Sequence, residues 1–174
     1  FMLKVLVDYP SALEEFAIVE RVIGTLHQVQ EVLAVQHLVA LQRATRAVFV
    51  DAALIEYAVR LAKATREPAA VGLPHLARYV TFGASPRASI FLALAAQALA
   101  VVRGRDYALP EDMRALAPDV LRHRLVLSYE ALGDGVTADH LLDQILHAVP
   151  PPEVVLRRAA PGAGDEREWA PPPR

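Results

Sequence analysis

The chain has 174 residues, and 18 Lys+Arg against 20 Asp+Glu give a formal net charge of −2. Hydrophobic residues make up 54% of it, ample for one buried core, and the absence of cysteine excludes disulfides, thiolate nucleophiles and cysteine-based zinc sites. Without a basic excess, nucleic acid is not the expected partner. The longest nearly apolar run, residues 88–102, is shorter than the roughly 20 residues of a membrane span. No membrane partner and a cytoplasmic location are therefore expected.

Residues 1–8 (FMLKVLVD) read as a strand that is apolar on both faces apart from Lys4, like the inner strand of a parallel sheet. No second strand of that kind follows, which leaves an orphan whose sheet is expected upstream. Ser11 and Glu14 form a capping box for a helix to about Gly24, with Phe16, Val19, Ile23 and Leu26 on one face. A second helix covers roughly 36–47. Residues 48–50 are extended, and Asp51 caps a third helix to about Thr65. Residues 66–79 read as a loop broken by Pro68, Gly72 and Pro74.

The central helix follows from Pro86 to Arg103, apolar almost all round and so expected to be surrounded, with Gly104 at its C′ position. Residues 107–109 are extended. Pro110 opens a further helix, and Pro118 is expected to divide that region into two short ones. Residues 125–128 suggest a second extended piece beside 107–109. Gly133–Gly135 is a turn, and Thr137 caps the last helix, 138–149. Seven of the 13 prolines lie at or beyond Pro150, so 153–174 reads as a Pro/Gly-rich disordered tail.

The start of the central helix is the most informative stretch. Ser85 is a suitable N-cap and Pro86 a suitable first helical residue. Arg87 then places a cation at the positive end of the helix dipole, a mismatch of roughly 0.3–1 kcal/mol. An anion sharing the site would resolve it; pairing with a nearby carboxylate, or simple exposure to water, is the bland alternative. His140, Asp143 and His147 recur on one face of the last helix at a spacing that metal ligands can use. They are equally ordinary on the polar side of an amphipathic helix, and no metal site is assigned. The Arg122-His123-Arg124 cluster beside Asp119 reads as an ion-paired surface. There is no G-x-x-x-x-G-K-[ST] loop to cradle a triphosphate, and the strand end Val7-Asp8 is only superficially like an Mg²⁺-holding strand.

Taken together, FMLKVLVDYPS, ATRE, RYVTFGASPRASI, RGRDY, PEDMRALAPDVLRHRL and ILHAVPPP resemble the C-terminal half of MoxR-type AAA+ ATPases over about residues 1–152. GASPRA and APDVLRHRL are the most specific of these runs. The resemblance implies a mainly α fold, a helical lid preceded by one orphan β-strand from an α/β nucleotide-binding core missing from this sequence. Residues 1–10 would be the last strand of that core, 11–152 the lid and 153–174 the tail. Arg87 would be the sensor 2 arginine, supported by Ser85 and Pro86 at the helix start, with no catalytic residue in this chain. ATP and Mg²⁺ would be held mainly by the core, so the chain alone should be inactive. The resemblance further implies a homo-oligomeric ring, a hexamer by family habit, acting on client proteins, von Willebrand factor A-type partners among the candidates. A stand-alone helical interaction module without ATPase activity is the competing expectation. A phosphate-binding loop in the upstream reading frame separates the two. A helix-turn-helix DNA binder is disfavoured by the charge balance.

Overall fold

Apolar residues spaced along 52–66 bury Leu54, Tyr57, Ala58, Leu61 and Ala62 on one face, and this helix is one wall of the molecule. The structure is a computed structural model, and it describes residues 1–24 and 29–153. Seven helices are described: α1 (Ala12–Ile23), α2 (Val35–Ala47), α3 (Ala52–Arg66), α4 (Pro86–Val102), α5 (Pro110–Leu121), α6 (Tyr129–Gly133) and α7 (Ala138–Ala148). Two short strands, β1 (Val80–Phe82) and β2 (Val126–Leu127), pair antiparallel, with Val80 opposite Leu127 and Phe82 opposite Val126.

The bundle is built on α4, which lies against α3 and α5, while α7 closes the far side against α3 and α5. The buried face of α4 is mostly alanine (Ala88, Ala95, Ala96 and Ala100, with Leu92), so neighbouring backbones approach closely. Fully buried Met113 and Leu121 of α5 and Leu141, Leu142 and Ile145 of α7 fill the space around them. Burial of each such side chain is worth about 1.5–3 kcal/mol.

Several expectations hold in detail. Ser11 and Glu14 make the full capping box of α1, Asp51 accepts from the Ala53 N–H at 2.8 Å, and Thr137 accepts from His140 N–H at 3.2 Å. Gly104 follows α4 with φ +71°.

Others are corrected. Pro118 does not divide its helix: α5 runs through it, with Ala117, Val120 and Leu121 buried on the packed side. The hydrogen bond that proline removes is outweighed by that packing. The piece at Tyr107 does not pair with 125–128. It bridges Phe49 in parallel, with Phe49 N–H donating to Asp106 O at 2.8 Å and Ala108 N–H to Phe49 O at 2.9 Å. Residues 126–127 instead take β1, at the end of what reads as a loop, and residues 68–71 and 74–79 of that loop form two 3₁₀ turns. Finally, α4 is not enclosed all round, since Ile90, Leu94 and Val102 are exposed.

Residues 1–10 belong to no strand among the described residues. The Lys4 N–H donates to Asp119 O at 2.8 Å, so the segment runs beside the C-terminal end of α5. The apolar residues of α1, Phe16, Val19 and Ile23 among them, are exposed. Leu26 and the expected tail from residue 154 onward lie outside the described residues.

Candidate functional site

The chain reaches the start of α4 through a tightly held turn. Thr65, fully buried near the end of α3, donates its hydroxyl to Ala62 O at 2.7 Å and accepts the Ala84 N–H at 2.8 Å. Arg66 Nη1 donates to Ala84 O at 2.8 Å, so both backbone polar groups of buried Ala84 are satisfied by the last turn of α3. Gly83 passes so close that a Cβ there would sit 2.5 Å from Thr65 O and 2.7 Å from Arg66 Cγ. The glycine is required by this approach.

Pro86 occupies the first helical position. Ser85 is the N-cap residue by backbone, but its hydroxyl makes no capping bond; its carbonyl accepts the Ala88 N–H at 2.9 Å. The expected hydroxyl cap is thus corrected. With Pro86 removing one donor and Ala88 already bonded to the Ser85 carbonyl, the first turn needs less from the side chain.

Arg87 is exposed, and among the described residues its side chain has no hydrogen bond or ion pair. The charge it influences is another cation. Burial and the Arg87 charge together push the Arg124 guanidinium below its ordinary pKa. Arg124 lies over the ring of Phe91, one turn along α4 from Arg87, with its Cζ 4.8 Å from the ring centroid. Two arginines therefore flank the same end of α4, and among the described residues neither is paired with a carboxylate. Such an arrangement suits an anion.

The opposite end of α4 is built differently. Arg103 and Arg105 close on Asp112, which is fully buried. Arg105 forms a two-pronged contact (Nη1 to Oδ2 2.8 Å, Nη2 to Oδ1 2.6 Å), Arg103 Nη1 adds one at 2.6 Å, and the Leu109 N–H donates at 2.9 Å. Burial alone would raise the Asp112 pKa. The Arg105 and Leu109 hydrogen bonds and the charges of both arginines outweigh it and hold the carboxyl below its usual range. Asp112 is assigned no role from the sequence. The RGRDY–PED spacing was the available signal, but burial could not be read from it.

The remaining candidates do not converge on a site. His140 Nε2 meets Gln144 Nε2 at 2.8 Å, and His147 Nδ1 meets Asp143 O at 2.7 Å, so these side chains engage their own helix on the surface. Among the described residues no group of three or more His, Asp or Glu is placed to share a metal. Of the basic cluster, Arg122 is ion-paired as expected, with Asp119 and with Asp139 at 2.9 Å. Burial opposes its charge, but the two acids outweigh that and raise its pKa. Arg124 is not ion-paired among the described residues.

Comparison with known proteins bears on the family. Residues 75–145, which include Arg87 and both ends of α4, match the AAA lid domain. The chain is 44% identical to Chaperone MoxR1 of Mycobacterium tuberculosis over 154 residues, covering 88% of this chain and 41% of that protein. It is 34% identical to the uncharacterized protein YeaC of Bacillus subtilis over 162 residues, covering 92% of this chain and 47% of that protein. A crystal structure of a Cytophaga hutchinsonii protein assigned as an ATPase superposes with a TM-score of 0.81 at 34% identity, covering 86% of this chain and 46% of that one. Over most of its own length the chain is similar to the MoxR-type AAA+ proteins. It carries their lid, and it spans less than half the length of the relatives it matches. The mainly α bundle with one small sheet is the expected MoxR-type lid. Among the described residues no helix is long and apolar enough to cross a membrane.

Proposed function

We propose that this chain is the lid of a MoxR-type AAA+ ATPase, and that Arg87 is its sensor 2 residue, facing the terminal phosphate of ATP held by a nucleotide-binding core outside this sequence. The observation that carries the reading is the condition of Arg87: a solvent-facing cation at the positive end of α4, unpaired among the described residues, on a turn anchored by Thr65, Arg66 and Gly83. A charge of this kind is costly without an anion and useful with one.

This chain supplies a cation and a rigid mount for it. It has no phosphate-binding loop, so the core is assigned the Mg²⁺ ligands and most contacts to ATP. Arg87 adds positive charge where negative charge accumulates as the phosphoryl group leaves. The Thr65–Ala84 and Arg66–Ala84 bonds tie that cation to α3, so a change at the phosphate turns the bundle as a body. In the longer protein this motion would drive remodelling or activation of client complexes by a ring, taken as a hexamer in the cytoplasm, with von Willebrand factor A-type proteins as one client class. The name of MoxR1 as a chaperone supports that direction.

The test is Arg87→Ala in the longer protein. ATP turnover is expected to fall about a hundred- to a thousandfold, as on loss of one preorganised charge-stabilising group. Unchanged turnover would overturn the assignment.

A further inference from the structure

The C-terminal end of α5 and the 3₁₀ turn that follows it, Arg122–Arg124, grip the backbone of residues 1–4 at several points. The Lys4 N–H donates to Asp119 O at 2.8 Å, and Arg122 Nη1 donates to Lys4 O at 2.7 Å. Arg124 Nη2 donates to Phe1 O at 2.6 Å and, more weakly, to Met2 O at 3.4 Å. These contacts bridge more than a hundred residues of chain and read backbone, so they are indifferent to the side chains of the segment they hold.

Both arginines are themselves fixed. Arg122 is locked between Asp119 and Asp139. Arg124 spends its Nε–H on Val120 O at 2.8 Å and lays its guanidinium on Phe91. Phe91 stands four residues from Arg87, on the same face of α4. Arg124 is therefore the point at which three things meet: the end of α5, the Phe1–Met2 backbone and the face of α4 that presents Arg87. His123 between the two arginines is kept below its usual pKa, by burial first and by the Arg124 charge second, so it brings no competing cation at neutral pH.

We propose that Arg124 is a positioning residue, which clasps the Phe1–Lys4 segment to the Phe91 face of α4 and so sets where Arg87 stands relative to the chain upstream. The clasp itself stands on the contacts above. Its bearing on phosphate chemistry rests on the lid reading. A lysine at position 124 could keep the charge, but it could not bond Val120 O and Phe1 O and stack on Phe91 at once.

Two measurements test this. In the 174-residue chain, amide exchange at Lys4, followed by NMR, is expected to quicken about tenfold or more in Arg124→Lys and in Arg124→Ala, as on loss of a charge-assisted hydrogen bond. Protection of the α4 amides should remain as in the parent. Arg124→Lys keeps the test open if the alanine variant fails to fold. Parent-like exchange at Lys4 in the folded variants would overturn the clasp. In the longer protein, Arg124→Lys is expected to lower kcat about tenfold with KM for ATP little changed, a split that general destabilisation would not produce. Faster exchange with unchanged kcat would overturn the positioning role and leave a structural tether. If Arg87→Ala leaves turnover intact, the lid reading fails by itself, and the Lys4 exchange still decides the clasp.

Discussion

At the C-terminal end of α4, Arg103 and Arg105 converge on the buried carboxylate of Asp112; at the N-terminal end, Arg87 has no carboxylate among the described residues, and its charge acts on a second arginine. The first arrangement follows ordinary helix electrostatics, because cations belong near the negative pole, and a buried charge must be paired and hydrogen-bonded. The second breaks the first of these habits, in a molecule that observes it with Arg103 at the other end of the same helix. On the sensor 2 reading proposed above, the satisfied end of the helix carries structural charge and the unsatisfied end carries charge held for a ligand.

Breaking that contrast at Arg87 should produce the largest effect, and only in function. Arg87→Ala is expected to reduce turnover of the longer protein a hundredfold or more while shifting unfolding free energy by less than about 0.5 kcal/mol, as for an exposed side chain without contacts. Denaturant titration of this chain checks the second half. A large loss of stability would show that Arg87 has a structural partner after all.

Asp112 should behave in the opposite way. Asp112→Asn leaves Arg105 and the Leu109 N–H poorly matched, and it is expected to cost about 3 kcal/mol. Arg103, nearly half exposed, contributes little of that because solvent screens it. The pH dependence has a definite sign. The folded-state pKa of Asp112 lies below its unfolded value, so the stabilisation is complete above the unfolded carboxylate range, near about 4, and is lost as pH falls through the folded pKa. The stability gap between parent and Asp112→Asn should therefore be flat from about pH 5 to 8 and close below about 4. A gap that widened in acid would contradict the assignment.

How much of this contrast was legible before the structure depends on whether its cause is local. Pro86 and Arg87 stand out because a proline that suits a first turn is followed at once by a cation that does not, and the Ser11–Glu14 box and the Thr137 cap are local in the same way. The family resemblance added the fold class, and it is the source of the role proposed for the site. What escaped is non-local. β1 and β2 have three and two residues, too few for any alternation to show, and they find each other across the whole of α4 and α5. The Phe49–Tyr107 bridge joins two extended segments that no turn signal links. Pro118 was weighed by its intrinsic cost, and the packing of Ala117, Val120 and Leu121 decided otherwise. Thr65 and Arg66 sit in the ATRE run, but nothing within that run says that they hold Ala84.

The anchoring turn gives an intermediate effect. Thr65→Val keeps the shape of a fully buried side chain and removes the hydroxyl, leaving the Ala84 N–H without its partner. A cost of about 1–2 kcal/mol in unfolding free energy is expected. Because Arg66 still holds the Ala84 carbonyl, Arg87 should keep most of its activity in the longer protein. A loss of turnover as deep as that of Arg87→Ala would mean that the turn, and not the guanidinium, is what the reaction needs.

The smallest effect is expected beside the most consequential residue. An N-cap serine replaced by alanine commonly costs about 1 kcal/mol, because a helix N–H loses its acceptor. Here the Ser85 hydroxyl makes no such bond, and the carbonyl that receives the Ala88 N–H is backbone and survives the substitution. Ser85→Ala should therefore shift stability by less than about 0.5 kcal/mol. The measurement discriminates between two causes of the same helix start. If the hydroxyl terminates the chain's approach to α4, its loss shows in the unfolding curve. If Gly83, Ala84 and Pro86 already fix that approach, α4 begins where it does without Ser85's side chain, and Arg87 keeps its place.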